Sequence, residues 1–291
     1  MNNASRQYLA PWLLSLLLLA MALPGVAGAG PQDPLPPGVK VQKGFAPGTG
    51  APVGRVHSVQ GKAVLIHAEN PKKGYAARAN LPVFKGDTVV TRDKGRIRLS
   101  LNDGSAFVMT PLSRITVDES VYDPGAKQRA TFLGMDLGKA RFLVNKLLGF
   151  STNRFRVTTR TAILGVRGSD FVSAIQGDTT VATALVDTRL DVGSTTVIGE
   201  PVVLKDLERS SVTKGQLPTS PEAVSHDEAR RLIQEFLFEP EKSGGGAAVG
   251  ASTAASPLSR AKNCSATRAS DFSPGNTTAD RIDAWIGGGG N

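Results

Sequence analysis

The stretch GRIRLSLNDGSAFVM, residues 95–109, carries the reading that decides the fold. From Arg96 to Leu101 polar and apolar residues alternate without a break, which gives a strand one wet face and one buried face. Asn102-Asp103-Gly104-Ser105 then reverses the chain, because Asp-Gly accepts the positive φ angles of a tight hairpin. Ala106-Phe107-Val108-Met109 returns, and Pro111 ends the strand by removing a ladder donor.

Similar runs extend in both directions. Upstream, Val56–Val59 and Ala63–Ile66 flank Gln60-Gly61, a spacing that predicts a hairpin. Thr88–Thr91 precedes the decisive stretch. Downstream, Arg114–Asp118 alternates, TFLGMDLGKARFLV (131–144) reads as two strands about Gly138, and Arg154–Thr158 alternates again. Phe171–Ile175 and Thr179–Val186 flank a turn at 176–178, and Val202–Leu204 closes the β part. Short strands between turn signals, without an exact internal repeat, predict an all-β unit: a sandwich, a barrel or a short β-solenoid. The expected fold is compact and multi-stranded, a sandwich or short solenoid, followed by one C-terminal amphipathic helix and a disordered tail.

Both ends differ from the β-patterned body. Residues 1–29 read as an export leader: Arg6, the apolar run WLLSLLLLAMA (12–22), Pro24, and the small residues Ala27-Gly28-Ala29. That run falls short of the about 20 apolar residues of a membrane span, so cleavage after Ala29 is expected and no stable span remains. Retention as an anchor is the alternative. The expected location is periplasmic or secreted. Residues 30–52, rich in Pro and Gly, suit an exposed linker, and the β-domain occupies 53–218. Residues 219–240 hold the helix, with Ser220-Pro221-Glu222 as its start and Ser225 with Glu228 as an alternative capping box. Ala229, Leu232, Ile233, Phe236 and Leu237 fall on one side of it, the side expected to pack on the domain itself. Residues 241–291 read as a low-complexity tail. Cys264 is the only cysteine, so no intramolecular disulfide can form.

Lys and Arg number 34 against 25 Asp and Glu, a net charge of +9. Such a balance favours anionic partners, and it also serves plain solubility. The positive charge is concentrated between Leu137 and Ser169, where no acid occurs. Arg154, Arg156 and Arg160 share strand parity, and Arg167 follows; such a row can hold carboxylate or phosphate groups. The competing reading is a strand edge kept from aggregating by its charge. In GVRGSDF (165–171), Gly165 and Gly168 serve a bend or a close backbone approach, Asp170 caps the turn or pairs with Arg167, and Phe171 enters the core. Turn chemistry accounts for Gly86, Asp87, Asp103 and Gly104.

No catalytic constellation stands out. His57 and His67 lack the cysteine or acidic cluster that would complete a metal set, and His226 lies in the distal helix. Ser105 and Ser169 lack a nucleophile elbow. No cofactor is expected, and Phe142, Phe150 and Phe155 accompany the basic run without a nucleic-acid reader motif.

The blocks GKAVLI (61–66), GDTVVT (86–91), GRIRLSLNDGSAFVMTPLSRITVDE (95–119), LGKARFLV (137–144) and GVRGSDFVS (165–173) occur in the order typical of FecR-like domains. The resemblance runs from Val53 to Leu204. Ser169 stands where that family usually has Thr, and Asp187-Thr188 where it has Glu-Gly. The resemblance implies an extracytoplasmic all-β module that contacts or senses a partner. Regulators of the family carry a cytoplasmic anti-sigma segment before a membrane helix; only a short stretch precedes the apolar run here, so a solo exported form is expected. The expected role is non-enzymatic: protein contact in envelope signalling or assembly, with an envelope protein as partner. Binding of anionic envelope polysaccharide is the alternative, and a membrane-anchored regulator of sigma-factor signalling is the second.

Overall fold

The computed structural model describes residues 33–238. The expected leader, the tail and Cys264 lie outside them. Two open sheets pack face to face. Across the first, the lateral order is β1 (Lys40–Gln42), β4 (Lys73–Ala76), β3 (Ala63–Ile66), β6 (Thr88–Thr91), β9 (Ser113–Asp123), β10 (Gln128–Leu137), β12 (Thr152–Thr158), β13 (Ala162–Val166), β16 (Leu190–Ser194) and β17 (Val202–Leu204). Across the second it is β19 (Glu222–Ala223), β18 (Glu208–Thr213), β15 (Thr179–Ala184), β14 (Ser169–Gln176), β11 (Lys139–Val144), β8 (Ala106–Met109), β7 (Arg96–Leu101), β2 (Gly54–Gln60) and β5 (Pro82–Val83).

The all-β expectation holds, and both of its forms describe the molecule. It is a sandwich in cross-section. Beyond the first few strands, the lateral order in each sheet follows chain order, so the chain advances along the sandwich while alternating between sheets, as a solenoid does.

Each passage from one sheet to the other contains a residue in the left-handed region, among them Gly61, Lys94, Leu112, Gly138, Gly168, Asp187 and Leu207. Such a residue turns a strand sharply out of its sheet. Gly61 shows why this matters for reading the sequence. Gln60-Gly61 was expected to close a hairpin, but β2 pairs with β5 and β7 while β3 pairs with β4 and β6, in the other sheet. Gly61 has φ +68°, and a Cβ there would lie 2.4 Å from the carbonyl oxygen of Lys94, at the neighbouring passage. The expected hairpins at Asn102–Ser105 and 176–178 do form, as β7–β8 and β14–β15.

In the decisive strand β7, Ile97, Leu99 and Leu101 are buried and Arg96, Arg98 and Ser100 are not. At the centre of the core Phe107, Phe142 and Phe171 lie opposite one another on β8, β11 and β14, and Phe142 stacks on Phe171 at 5.0 Å. Phe171 thus enters the core as expected. Full burial of such a ring contributes about 1.5–3 kcal/mol.

The segment before Val53 is more than a linker. β1 pairs in parallel with β4, Leu35 and Val39 cover Val64, Ile66 and Val90, and Arg92 bonds Asp33 at 2.5 Å. The helix, α1 (His226–Gln234), starts at the alternative cap: the Ser225 hydroxyl accepts from the Glu228 amide at 3.2 Å. Glu222 stays in a strand because Arg209, opposite it on β18, grips its carboxylate with two bonds of 3.0 and 3.2 Å. Ala229, Ile233 and Phe236 pack on Val108, Val172, Leu185 and Val224, on the outer face of the second sheet. Leu237 is exposed.

Candidate functional site

The outer face of the first sheet is uncovered over its central strands. Cross-strand register places Phe132 of β10, Arg156 of β12, Gly165 of β13 and Asp191 of β16 in one row. Strand alternation sends Phe155 and Val157 inward and leaves Arg154 and Arg156 exposed. Arg167, just past β13, is exposed beside them. These three arginines, with Phe132, Gly165 and Asp191, line an open depression of about 290 Å³.

The arginines are not equivalent. The Arg156 guanidinium carbon lies 4.5 Å from the centre of the Phe132 ring, a cation–π contact that holds the side chain in place. Arg154 and Arg167 make no hydrogen bond or ion pair with any described residue. Arg160 lies past the end of β12 and outside the depression. Its guanidinium donates to the Asp136 carbonyl at 3.2 Å. The shared parity of Arg154, Arg156 and Arg160 therefore assembles only the first two, and the fold supplies Arg167 as the third.

Asp118 borders this face. It forms a bulge in β9, between the pairs Phe132–Glu119 and Leu133–Val117, and its carboxylate overhangs Gly134. Partial burial of the Asp118 carboxyl, reinforced by Asp136, raises its pKa above the ordinary value, and Arg156 opposes the shift.

The aspartates singled out in the sequence make their contacts within the fold. Asp170 pairs with Arg141 of β11 rather than with Arg167, through two bonds of 2.9 and 2.8 Å that are shielded from water. Asp103 accepts from the Ser105 amide, as turn chemistry requires, and also from buried Arg129 at 3.1 Å. Burial pulls the Arg129 pKa below its ordinary value, and Asp103 opposes the shift. Asp87 accepts from the Phe84 amide and lies 2.8 Å from His67 Nδ1. Burial raises the Asp87 pKa, against the pull of His67 and the Phe84 amide. Gly86, Gly104 and Gly168 all have positive φ. Gly165 does not.

His67 ties the N-terminal segment to the body. Its Nε2 lies 2.9 Å from the Ala46 carbonyl, which can only accept, so Nε2 carries a proton. Phe45, Tyr75 and Phe84 surround the ring at 5.1–5.6 Å.

Sequence reasoning missed Phe132, Asp191, Arg129 and the His67–Asp87 pair. For Arg129 a signal was present: Arg129, Thr131, Leu133 and Met135 share one parity, and all four are buried. Among the described residues no three His, Cys, Asp or Glu side chains come together as a metal set would. No helix there is long and apolar enough to cross a membrane.

Residues 87–190 match the family described as FecR protein. They form a FecR domain. The domain runs from Asp87 to the start of β16 and contains the three arginines, Gly165, Asp170 and Phe171; Asp191 follows it directly. Two crystal structures of a candidate anti-sigma factor from Parabacteroides distasonis ATCC 8503 align at 17% identity and a TM-score of 0.40. The alignment covers 50% of this chain and 64% of that one, so the chain spans less than two thirds of that protein's length. No curated protein matches the chain.

Proposed function

We propose that this protein is a non-enzymatic contact module in envelope signalling, which engages a partner protein through the outer face of the first sheet. One observation carries the reading. The two sheets are covered unequally: α1 packs over β8 and β14 on the outer face of the second, while the central outer face of the first holds three clustered arginines, two of them without a hydrogen-bond or ion-pair partner among the described residues. Unpaired cations around a depression favour an anionic surface and speed its encounter. The FecR domain supports an extracytoplasmic regulatory role, and the leader read at residues 1–29 supports export.

A photo-crosslinking residue at Ile163, exposed on β13 within this face, tests the proposal in cells. The expected result is one envelope protein captured, with capture reduced when Arg154, Arg156 and Arg167 are changed to Ser. Loss of the adduct on glycan digestion would move the reading to anionic polysaccharide. Absence of any protein adduct removes the contact role.

A further inference from the structure

We infer that the group seated on this face is the carboxylate of an aspartate or glutamate in an extended acidic segment of the partner, held between Arg154, Arg156 and Arg167 over the bare backbone of Gly165. The inference rests on the contact reading above and names its chemistry.

Gly165 is the central observation. At several positions in this fold glycine is demanded by conformation or by close approach, though not at Gly44 or Gly193. Gly168 has φ +86°, and a Cβ there would lie 2.9 Å from the Lys146 Cα. Neither demand exists at Gly165. Its φ is not positive, and a Cβ built there would meet nothing nearer than the Asp191 Cβ at 3.6 Å, an ordinary contact. Neither bend nor close approach accounts for the residue. A glycine inside a strand weakens it. What this one provides is space, between Arg156 on one neighbouring strand and Asp191 on the other.

The surrounding groups select what fills that space. Arg156 is held by Phe132, so its donors are presented with little further loss of freedom. Arg154 and Arg167 have donors to spare, and guanidinium pairs with carboxylate in two parallel bonds. A sugar is poorly served here. The Phe132 face on which its ring would stack is taken by Arg156. The Asn153 amide is also engaged, accepting from Arg129 and donating to the Leu147 carbonyl. Asp191 repels a dense run of negative charge, so the seat suits one carboxylate at a time.

Anisotropy of a labelled peptide of alternating Glu and Ala, against its Gln counterpart, tests the seat at fixed ionic strength. The Glu peptide is expected to bind about tenfold more tightly or better, the scale of one charge-assisted contact. Gly165→Val fills the depression without changing charge and suits a strand; it should weaken binding about tenfold with an unchanged melting temperature. Gly165→Ala serves if the valine variant folds poorly. Asp191→Asn should tighten binding. Equal binding of the Glu and Gln peptides, wild-type affinity in the Gly165 variants, or tighter binding of polygalacturonate overturns the inference. A protein captured at Ile163 whose capture ignores Gly165→Val leaves the contact role standing and removes the carboxylate seat; an empty capture removes the role itself.

Discussion

Arg141 and Asp170 lie side by side on adjacent strands of the second sheet and share two buried hydrogen bonds, Nε to Oδ1 at 2.9 Å and Nη2 to Oδ2 at 2.8 Å. They join the blocks LGKARFLV and GVRGSDFVS, which are 29 residues apart at this contact. Removing one partner strands a charge inside the protein. Asp170→Ala is therefore expected to cost about 3–5 kcal/mol, whereas an Arg141→Met, Asp170→Leu pair recovers most of it. Urea unfolding of the single and double variants measures the difference. Equal losses in both would show that the pair's charge is not what matters.

The passages between sheets give a second prediction. Gly61→Ala places a methyl group against the Lys94 carbonyl in a left-handed conformation, so a loss of about 2 kcal/mol or more is expected. Lys94→Gly, at an exposed left-handed residue of the adjoining passage, is expected to gain about 1 kcal/mol. Chemical denaturation of the two variants should move in opposite directions.

Asp118 gives a pH dependence. Its folded pKa lies above the unfolded value, so the folded state binds this proton more readily. The stabilisation is present below the unfolded pKa and is lost as pH rises through the folded pKa. Asp118→Asn is therefore expected to raise the melting temperature at neutral pH and to leave it little changed near pH 3. A shift of equal size at both pH values would assign the effect to something other than ionisation.

The His67 tie predicts local behaviour. His67→Ala removes the bond to the Ala46 carbonyl and the ring packed against Phe45. Amide exchange across residues 33–46 should accelerate, while β7, β8 and β11 keep their protection. Exchange that accelerates throughout would mean that His67 supports the whole sandwich.

The export leader expected at residues 1–29 gives the last prediction. Intact mass of the exported protein should place Gly30 at the new N-terminus. A full-length product in the membrane fraction would favour the anchored alternative.

Side-chain direction was legible in the sequence because it depends on neighbours only one or two residues away. The alternation in Arg96–Leu101 predicts which of its residues are buried, and Asp103-Gly104 marks the turn because the backbone angles there are a local matter. Sheet membership was not legible. Gly61 and Gly104 both have positive φ, yet one carries the chain to the opposite sheet and the other closes a hairpin within a sheet. The difference lies in what packs beyond the turn: the Lys94 passage abuts Gly61, and β7 continues into β8 at Gly104.

The contact face divides in the same way. Strand parity alone placed Arg154 and Arg156 on one exposed face. Only the tertiary structure brought Arg167, Phe132 and Asp191 to the depression, sent Arg160 away from it, and gave Asp170 to Arg141. Those groups come from different strands, and their meeting is set by register across the sheet. A period-of-two pattern carries no information about which strand lies alongside, so the sequence determined the strands and their faces, while packing decided the neighbours and with them the site.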